Sequence, residues 1–280
     1  MNMDGHSEIT LRRLATRREY DACVTLQRDV WGEKFLDVVP ATLLMVSQQV
    51  GGVAVGAFDG SDHLLGFVFG VSGVRDGRLA HWSNMLAVRR EARGVGLGVR
   101  LKERQRQQLL DDGIQVVYWS FDPLVARNAN LNLNRLGAVP VEYIVDMYGD
   151  TGATLHHGLP TDRLIVEWRL TDPRVAAALS LRPPAVPAVP VDTPLIRLDP
   201  QDDGHPDVLP QSDVVRIAVP SSIDRTPATG AIGRWRLGTR RAFQHYFSRD
   251  YEILGFTSDD TSQLAWYTLE SASASTSRDR

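Results

Sequence analysis

Residues 79–110 constrain the chain most. A β-rich run, Leu79 to Val88, passes into Val88-Arg89-Arg90-Glu91-Ala92-Arg93-Gly94-Val95-Gly96-Leu97-Gly98, and a helix-forming run, Val99 to Leu110, leaves it. A strand must therefore hand over to a helix through a loop with glycines at alternate positions. Glycines leave the backbone amides unshielded at the mouth of the helix, and the helix dipole makes that mouth attractive to an anion. The spacing, Arg93-x-x-Gly96-x-Gly98, is neither a P-loop nor a dinucleotide fingerprint. Short glycine patterns are common, and a plain tight turn opening a helix is the simple alternative. The strand before, the helix after and the basic flanks weigh against it. Arg89, Arg90, Arg93, Arg100, Lys102, Arg104 and Arg106 crowd this stretch against Glu91 and Glu103. Most of them read as a solvated helix face with i, i+4 ion pairs. Arg93 and Lys102 are the candidates for facing a bound phosphate.

Composition narrows the function classes. The formal net charge is −3 over 280 residues, so a local basic patch fits a small phosphorylated ligand better than nucleic acid. Cys23 is the single cysteine, so no intramolecular disulfide can form and no Cys-rich metal site exists; it reads as buried packing. No signal-peptide core occurs in Met1 to Thr10, and no apolar run is long enough to span a membrane. A cytoplasmic protein without membrane or nucleic-acid partners is expected.

Periodicity assigns strands to Ile9–Leu14, Val53–Phe58, Leu64–Val74, Arg78–Val88, Val116–Phe121, Val141–Tyr148 and Leu164–Leu170. It assigns helices to Arg17–Trp31, Pro40–Gln49, Val99–Leu110 and Ala126–Leu136. Asp172 to Pro210 then holds nine of the fifteen prolines and reads as a linker or an arm, with a short helix at Arg174–Leu181. Structure resumes with a strand at Asp213–Val219. A helix follows, striped by Ile232, Trp235, Thr239, Phe243 and Tyr246, and then strands at Ile253–Thr257 and Leu264–Leu269. The expected domains are 1–172, an arm at 173–210, a small α/β unit at 211–270 and a disordered tail at 271–280.

The strand, the Arg-x-x-Gly-x-Gly loop and the helix resemble the coenzyme A pyrophosphate loop of the GNAT (GCN5-related) N-acyltransferase superfamily, and the resemblance covers residues 9 to 170. A subgroup of predicted acetyltransferases is most similar. It shares Met85 to Val88 at the strand end, Phe121-Asp122-Pro123-Leu124, the Asn-rich Asn128 to Ala138, and Asp162 to Trp168. The resemblance implies an α/β fold of the α+β type, a mixed central sheet flanked by helices. The strand–helix–strand–strand order of the tail resembles half such a domain without its glycine loop. Acetyl-CoA or another acyl-CoA is the implied cosubstrate, with no metal. Its site would comprise Met85, Leu86, Ala87, Val88, Arg93, Gly94, Val95, Gly96, Leu97, Gly98, Val99 and Lys102. Asn128 is added either as a contact to the pantetheine arm or as a helix cap.

Acyl transfer to an amine requires loss of an amine proton, donors for the oxyanion and a proton for the thiolate. Backbone amides at Met85, Leu86 and Val88 suit the oxyanion. Many GNAT relatives carry an acidic residue on this strand, but here it reads His81-Trp82-Ser83-Asn84. His81 is the one good base on it, against the plainer reading of a hydrogen-bonded strand histidine; Asn84 could position an amine. The superfamily often draws the thiolate proton from a tyrosine at the position of Leu133. Tyr143 and Tyr148 on the next strand are the substitutes, although core packing explains each as well. His156 and His157 lack a third ligand, and metal is rejected. Arg163 is either an ion-pair partner of Asp162 or a fork for a substrate carboxylate.

The expected activity is acyl-CoA-dependent N-acyl transfer to the amine of a small molecule; relatives in the subgroup are associated with N-acylation, including N-succinylation, of amino acids. The competing reading is a module that binds acyl-CoA without turnover. The apolar tail helix and the open strand edges imply that Asp213 to Leu269 is docked, with a homodimer favoured over a monomer.

Overall fold

A computed structural model describes residues 9–152, 159–180, 189–190, 192–197, 209–223, 229–259 and 261–274. The chain forms two compact units. The first comprises Met1–Trp119, Thr151–Leu155 and Arg169–Thr171; the second comprises Ser120–Asp150, His156–Trp168 and Asp172–Arg280. His156, His157 and residues 275–280 of the expected tail lie outside the described residues.

The first unit is a mixed sheet with helices. Its elements are β1 (Thr10–Arg13), α1 (Arg17–Trp31), α2 (Ala41–Gln49), β2 (Val53–Phe58), β3 (Leu64–Arg75), β4 (Arg78–Val88), α3 (Leu97–Asp111) and the start of β5 (Val116–Phe121). Strands β1 to β5 are neighbours in chain order, antiparallel except for the parallel β4–β5 pair. Local chemistry sets the ends of these elements. Thr16 and Glu19 form a capping box at the start of α1. Asp76 and Gly77, at φ of 51° and 74°, supply the left-handed turn that joins β3 to β4. The core gathers Tyr20, Cys23, Leu26, Leu44, Phe58, Phe67, Phe69 and Met85. Cys23 is buried, as its helical setting indicated.

The second unit takes the end of β5, α4 (Ala126–Ala129), a π-helical continuation (Asn130–Arg135), β6 (Val139–Ile144) and most of β7 (Arg163–Arg169). There follow α5 (Pro173–Leu179), β8 (Leu195–Ile196), β9 (Val214–Pro220), α6 (Thr229–Phe247), β10 (Tyr251–Asp259) and β11 (Leu264–Ser271). The last four strands form a sheet in the order β10-β11-β9-β8. The proline-rich stretch thus contributes a two-residue edge strand, where missing N–H groups are tolerated. The α6 stripe is buried, with Trp235 at 5% exposure and Phe243 at 0%.

The C-terminal residues are docked, as their apolar surface required. Phe243 stacks on Tyr143 with centroids 5.2 Å apart, and the Tyr267 hydroxyl donates to the Pro123 carbonyl at 2.8 Å. Two elements differ from expectation. The strand predicted over 141–148 ends at Ile144, because Asp146 adopts φ of 47° and its carboxylate accepts from the Thr161 N–H at 2.8 Å, folding 145–148 into a turn. The helix over 126–136 is α-helical for one turn only. It continues as π-helix, with the Leu136 N–H donating to the Leu131 carbonyl. Asparagines are weak helix formers, and Asn134 bonds instead to the Asn130 side chain and the Phe256 carbonyl, each at 2.9 Å.

Candidate functional site

The first unit places the glycine loop between β4 and α3. β4 pairs with β5 only at His81↔Val117 and Trp82↔Tyr118. Among the described residues, the stretch from Asn84 to Val88 therefore has β3 as its sole strand partner, and a strand with one neighbour presents N–H and C=O groups along its other edge. β4 is also bulged. Phe69 faces Met85 while Gly70 faces Ser83, which makes Asn84 the extra residue, and Asn84 is exposed. Met85 and Ala87 are buried; Leu86 and Val88 are half-buried.

Beyond β4, the loop makes a short 3-10 turn at Arg90–Ala92, and α3 starts after Gly96. Gly96 sits at φ of 78° and Gly94 at 85°, conformations that side chains disfavour. A Cβ on either would meet nothing within 4 Å, so the space in front of these backbones is open. Gly98 is helical, and a Cβ there would meet only Leu86 Cδ2 at 3.8 Å. α3 has no side-chain cap and no acidic residue in its first turn. Its leading N–H groups lack intrahelical acceptors, so the end of the dipole stays uncompensated. Leu97 is buried, Val95 is exposed and Val99 is half-buried. Exposed Arg93 folds back onto the loop, its Nε donating to the Val88 carbonyl at 3.0 Å.

Lys102 does not reach the loop. It is 2% exposed and turned into the interior, with Nζ 2.7 Å from Gln105 Oε1, 3.0 Å from Ser83 Oγ and 3.9 Å from the Trp119 ring centroid. The expected phosphate contact is corrected: position 102 lies on the face of α3 that packs against the sheet. Burial disfavours the ammonium and pushes the Lys102 pKa well below the usual lysine range.

His81 is corrected as well. It is 1% exposed, and both ring nitrogens are engaged: Nδ1 lies 2.9 Å from Ser72 Oγ and Nε2 lies 3.1 Å from Gln105 Nε2. Burial first, and then Lys102, push its pKa down to about 3. A buried imidazole with no free nitrogen cannot accept a proton from a substrate. Its space exists because β3 carries glycine at position 70, where a Cβ would strike the imidazole and lie 2.5 Å from the Trp82 carbonyl. Sequence reasoning missed Ser72, Ser83, Gln105 and Gly70. The i, i+3 spacing of Lys102 and Gln105 was available, but it does not reveal which polar strand side chains lie beneath them.

The remaining candidates belong to the second unit. Tyr143 is held by Asp162, its hydroxyl donating to Oδ2 at 2.6 Å. Burial and that carboxylate raise the phenol pKa, which makes Tyr143 a poor acid. Tyr148 is 41% exposed, and its hydroxyl lies 2.8 Å from Ser120 Oγ. Asn128 is the third residue of α4 rather than its cap, which is Val125. Leu133 is fully buried.

Arg163 is enclosed at 7% exposure, with Nη1 donating to the Asp162 carbonyl at 3.0 Å and lying 3.7 Å from Asp122 Oδ2; it offers no fork to a substrate carboxylate. Asp122 accepts from both terminal nitrogens of Arg236, and Asp162 accepts from Arg240 Nε at 2.9 Å and Nη2 at 2.7 Å. These α6 arginines went unnoticed in the sequence, although their i, i+4 spacing places them on one flank of the apolar stripe.

Among the described residues no group of three or more His, Cys, Asp or Glu is placed to hold a metal ion, and no helix is long and apolar enough to cross a membrane. No protein-family model and no curated protein matches the chain. Solved structures similar to it include an N-acetyltransferase from Staphylococcus aureus, at 14% identity over 59% of this chain and 100% of that one, with a TM-score of 0.47. The ribosomal-protein-S18-alanine N-acetyltransferase from Escherichia coli is similar at 15% identity over 59% and 96%, with a TM-score of 0.46. Ard1 from Thermoplasma volcanium is similar at 11% identity over 59% and 99%, also with a TM-score of 0.46.

Proposed function

We propose that the chain is an acyl-CoA-dependent N-acyltransferase whose first unit holds the cosubstrate and whose acceptor is the amine of a small molecule. One observation carries the reading: α3 opens without a cap or an acid, on left-handed glycines with open space before them, directly after a β4 edge that, among the described residues, has no strand paired to it from Asn84 to Val88. The residues fit the group. A pyrophosphate suits the uncompensated amides of Leu97, Gly98 and Val99, and the extended pantetheine, an amide-bearing chain, suits the free edge of β4. Arg93 is the nearest candidate for charge at the loop.

An acyl-CoA supplies a thioester carbon open to attack by an amine, with thiol released. The Arg89 N–H donates to the Leu65 carbonyl on β3, so alternate amides of β4 face β3 and those of Leu86 and Val88 face the other edge; these two are the proposed donors for its carbonyl oxygen, and donors fixed where charge develops lower the barrier. Asn84, the exposed extra residue of the bulge, is the side chain assigned to orient the amine in this reading. β4 itself carries no group able to take the amine proton, because His81 is enclosed. The acceptor therefore sheds its proton to water or to a group outside this strand.

That same absence, with buried Leu133 in place of a tyrosine, favours a second reading, a module that binds acyl-CoA without turnover. Thiol release from acetyl-CoA and succinyl-CoA across a panel of amines separates the two: turnover with any amine supports the enzyme, and binding without turnover supports the module. The site is tested with Gly98→Val. Valine is tolerated by the helix at this position but covers the amides, so calorimetry should show coenzyme A bound at least about tenfold more weakly, about 1.4 kcal/mol, with the melting temperature unchanged. Unchanged affinity in the folded variant refutes the site. The glycine first suggested by the sequence, Gly96, is a poorer choice, since valine at its positive φ strains the backbone.

A further inference from the structure

The second unit contains one arrangement twice. Its first half runs through the end of β5, α4 with its π continuation, β6 and β7; its second half runs β9, α6, β10, β11. The strand orders are β5-β7-β6 and β9-β11-β10, each with an antiparallel final pair. Each half is bulged at the corresponding step. In β6 the extra residue is Val141, between Pro140↔Val166 and Glu142↔Ile165. In β10 it is Leu254, between Ile253↔Leu269 and Gly255↔Thr268. Matching the bulges sets Tyr143 on Phe256, and Glu167 on Glu270. Bulges are retained among related chains, so shared order and a shared bulge are what an internal duplication leaves. β8 extends the match: it pairs with β9 in parallel over two residues, as β4 pairs with β5.

The halves also meet reciprocally. α6 packs on β6, the π segment packs on β10, and β6 and β10 touch each other. The matched positions take part: Phe243 of α6 stacks on Tyr143, and Asn134 of the π segment donates to the carbonyl of Phe256. A contact made twice with the roles exchanged, plus a self-contact, is the signature of an isologous two-fold interface. The copy lacks the glycine loop. Arg197 to Asp213, between β8 and β9, holds Pro200, Pro206 and Pro210 and one glycine, Gly204. What the copy shares with the first half is the docking face.

We propose that the C-terminal copy is an internal partner. It fills, within one chain, the face through which two half-domains of this kind associate, and the protein acts as a monomer. This replaces the homodimer expected from open strand edges. Sedimentation equilibrium of the full chain from micromolar to hundred-micromolar concentration should show one species of 31.1 kDa; a stable dimer overturns the proposal. Charge exchange tests the interface. Arg240→Asp and Asp162→Arg should each lower hydrogen-exchange protection in β6 and β10 together, about tenfold, while both changes in one chain should recover part of it, since the bonds Asp162 accepts from Tyr143 and Asp146 stay lost. Loss confined to β10 refutes the reciprocal interface. Rescue on mixing the two single variants shows docking between chains and refutes the internal partner. Should a charge variant fail to fold, Phe243→Leu at the Tyr143 stack supplies the same readout.

Discussion

Acid should weaken the fold through His81. The folded imidazole is pushed from 6.5 down to about 3, whereas in the unfolded chain it titrates near 6.5. Between those values the unfolded chain binds a proton that the folded chain refuses, so stability falls as pH falls, by about 1.4 kcal/mol per unit. Above the upper value neither state is protonated and the dependence is flat. At pH 5, about 1.5 units into the window, the loss is about 2 kcal/mol; it approaches about 5 kcal/mol near the folded pKa. His81→Asn removes the titration. The variant loses packing beside Gly70 and starts from a lower stability, but its profile should be flatter. Lys102, whose ammonium burial also disfavours, contributes with the same sign in both proteins. Urea unfolding followed by circular dichroism between pH 5 and 7.5, for both proteins, gives the difference directly, and carboxylates common to both cancel. A wild-type minus variant difference that stays constant with pH refutes the account of a buried, neutral His81.

Arg236→Ala leaves Asp122, 7% exposed, without its bidentate partner. Stability should fall by about 3–5 kcal/mol, and a loss under about 1 kcal/mol in thermal unfolding would show that the pair is not enclosed. Gly70→Ala drives a methyl into the His81 ring and toward the Trp82 carbonyl, at a cost of about 1–3 kcal/mol. His81→Ala in the same chain should relieve part of that cost, so strictly additive losses in the double-mutant cycle would refute the contact.

Most elements were legible in the sequence because their causes are local. The β4 strand and α1 match their predicted bounds, and the Asp76-Gly77 turn follows from the few residues that accept positive φ. The glycine loop was legible for the same reason: an uncapped helix start on left-handed glycines is written in six adjacent residues. The misreadings came where a distant group decided. Asp146 turns the chain after Ile144 because Thr161 answers it across a gap in sequence. The helix after Ala129 widens into π geometry where Asn134 finds a carbonyl on β10.

The sequence by itself determined most of the strands and helices, and that β4 would hand over to α3 through glycines. Tertiary structure alone decided the fate of the ionisable side chains. Periodicity tells which face of α3 is buried but not that Lys102 on that face meets Gln105, Ser83 and Trp119, and so lies away from the loop. Nor could it tell that His81 would be walled in above Gly70. The Asp122–Arg236 and Asp162–Arg240 pairs join residues far apart in the chain, and their partners are chosen by how the two halves of the second unit pack. Desolvation depends on everything that surrounds a group in three dimensions, so the same histidine that reads as a base along the chain becomes a sealed structural group in the fold.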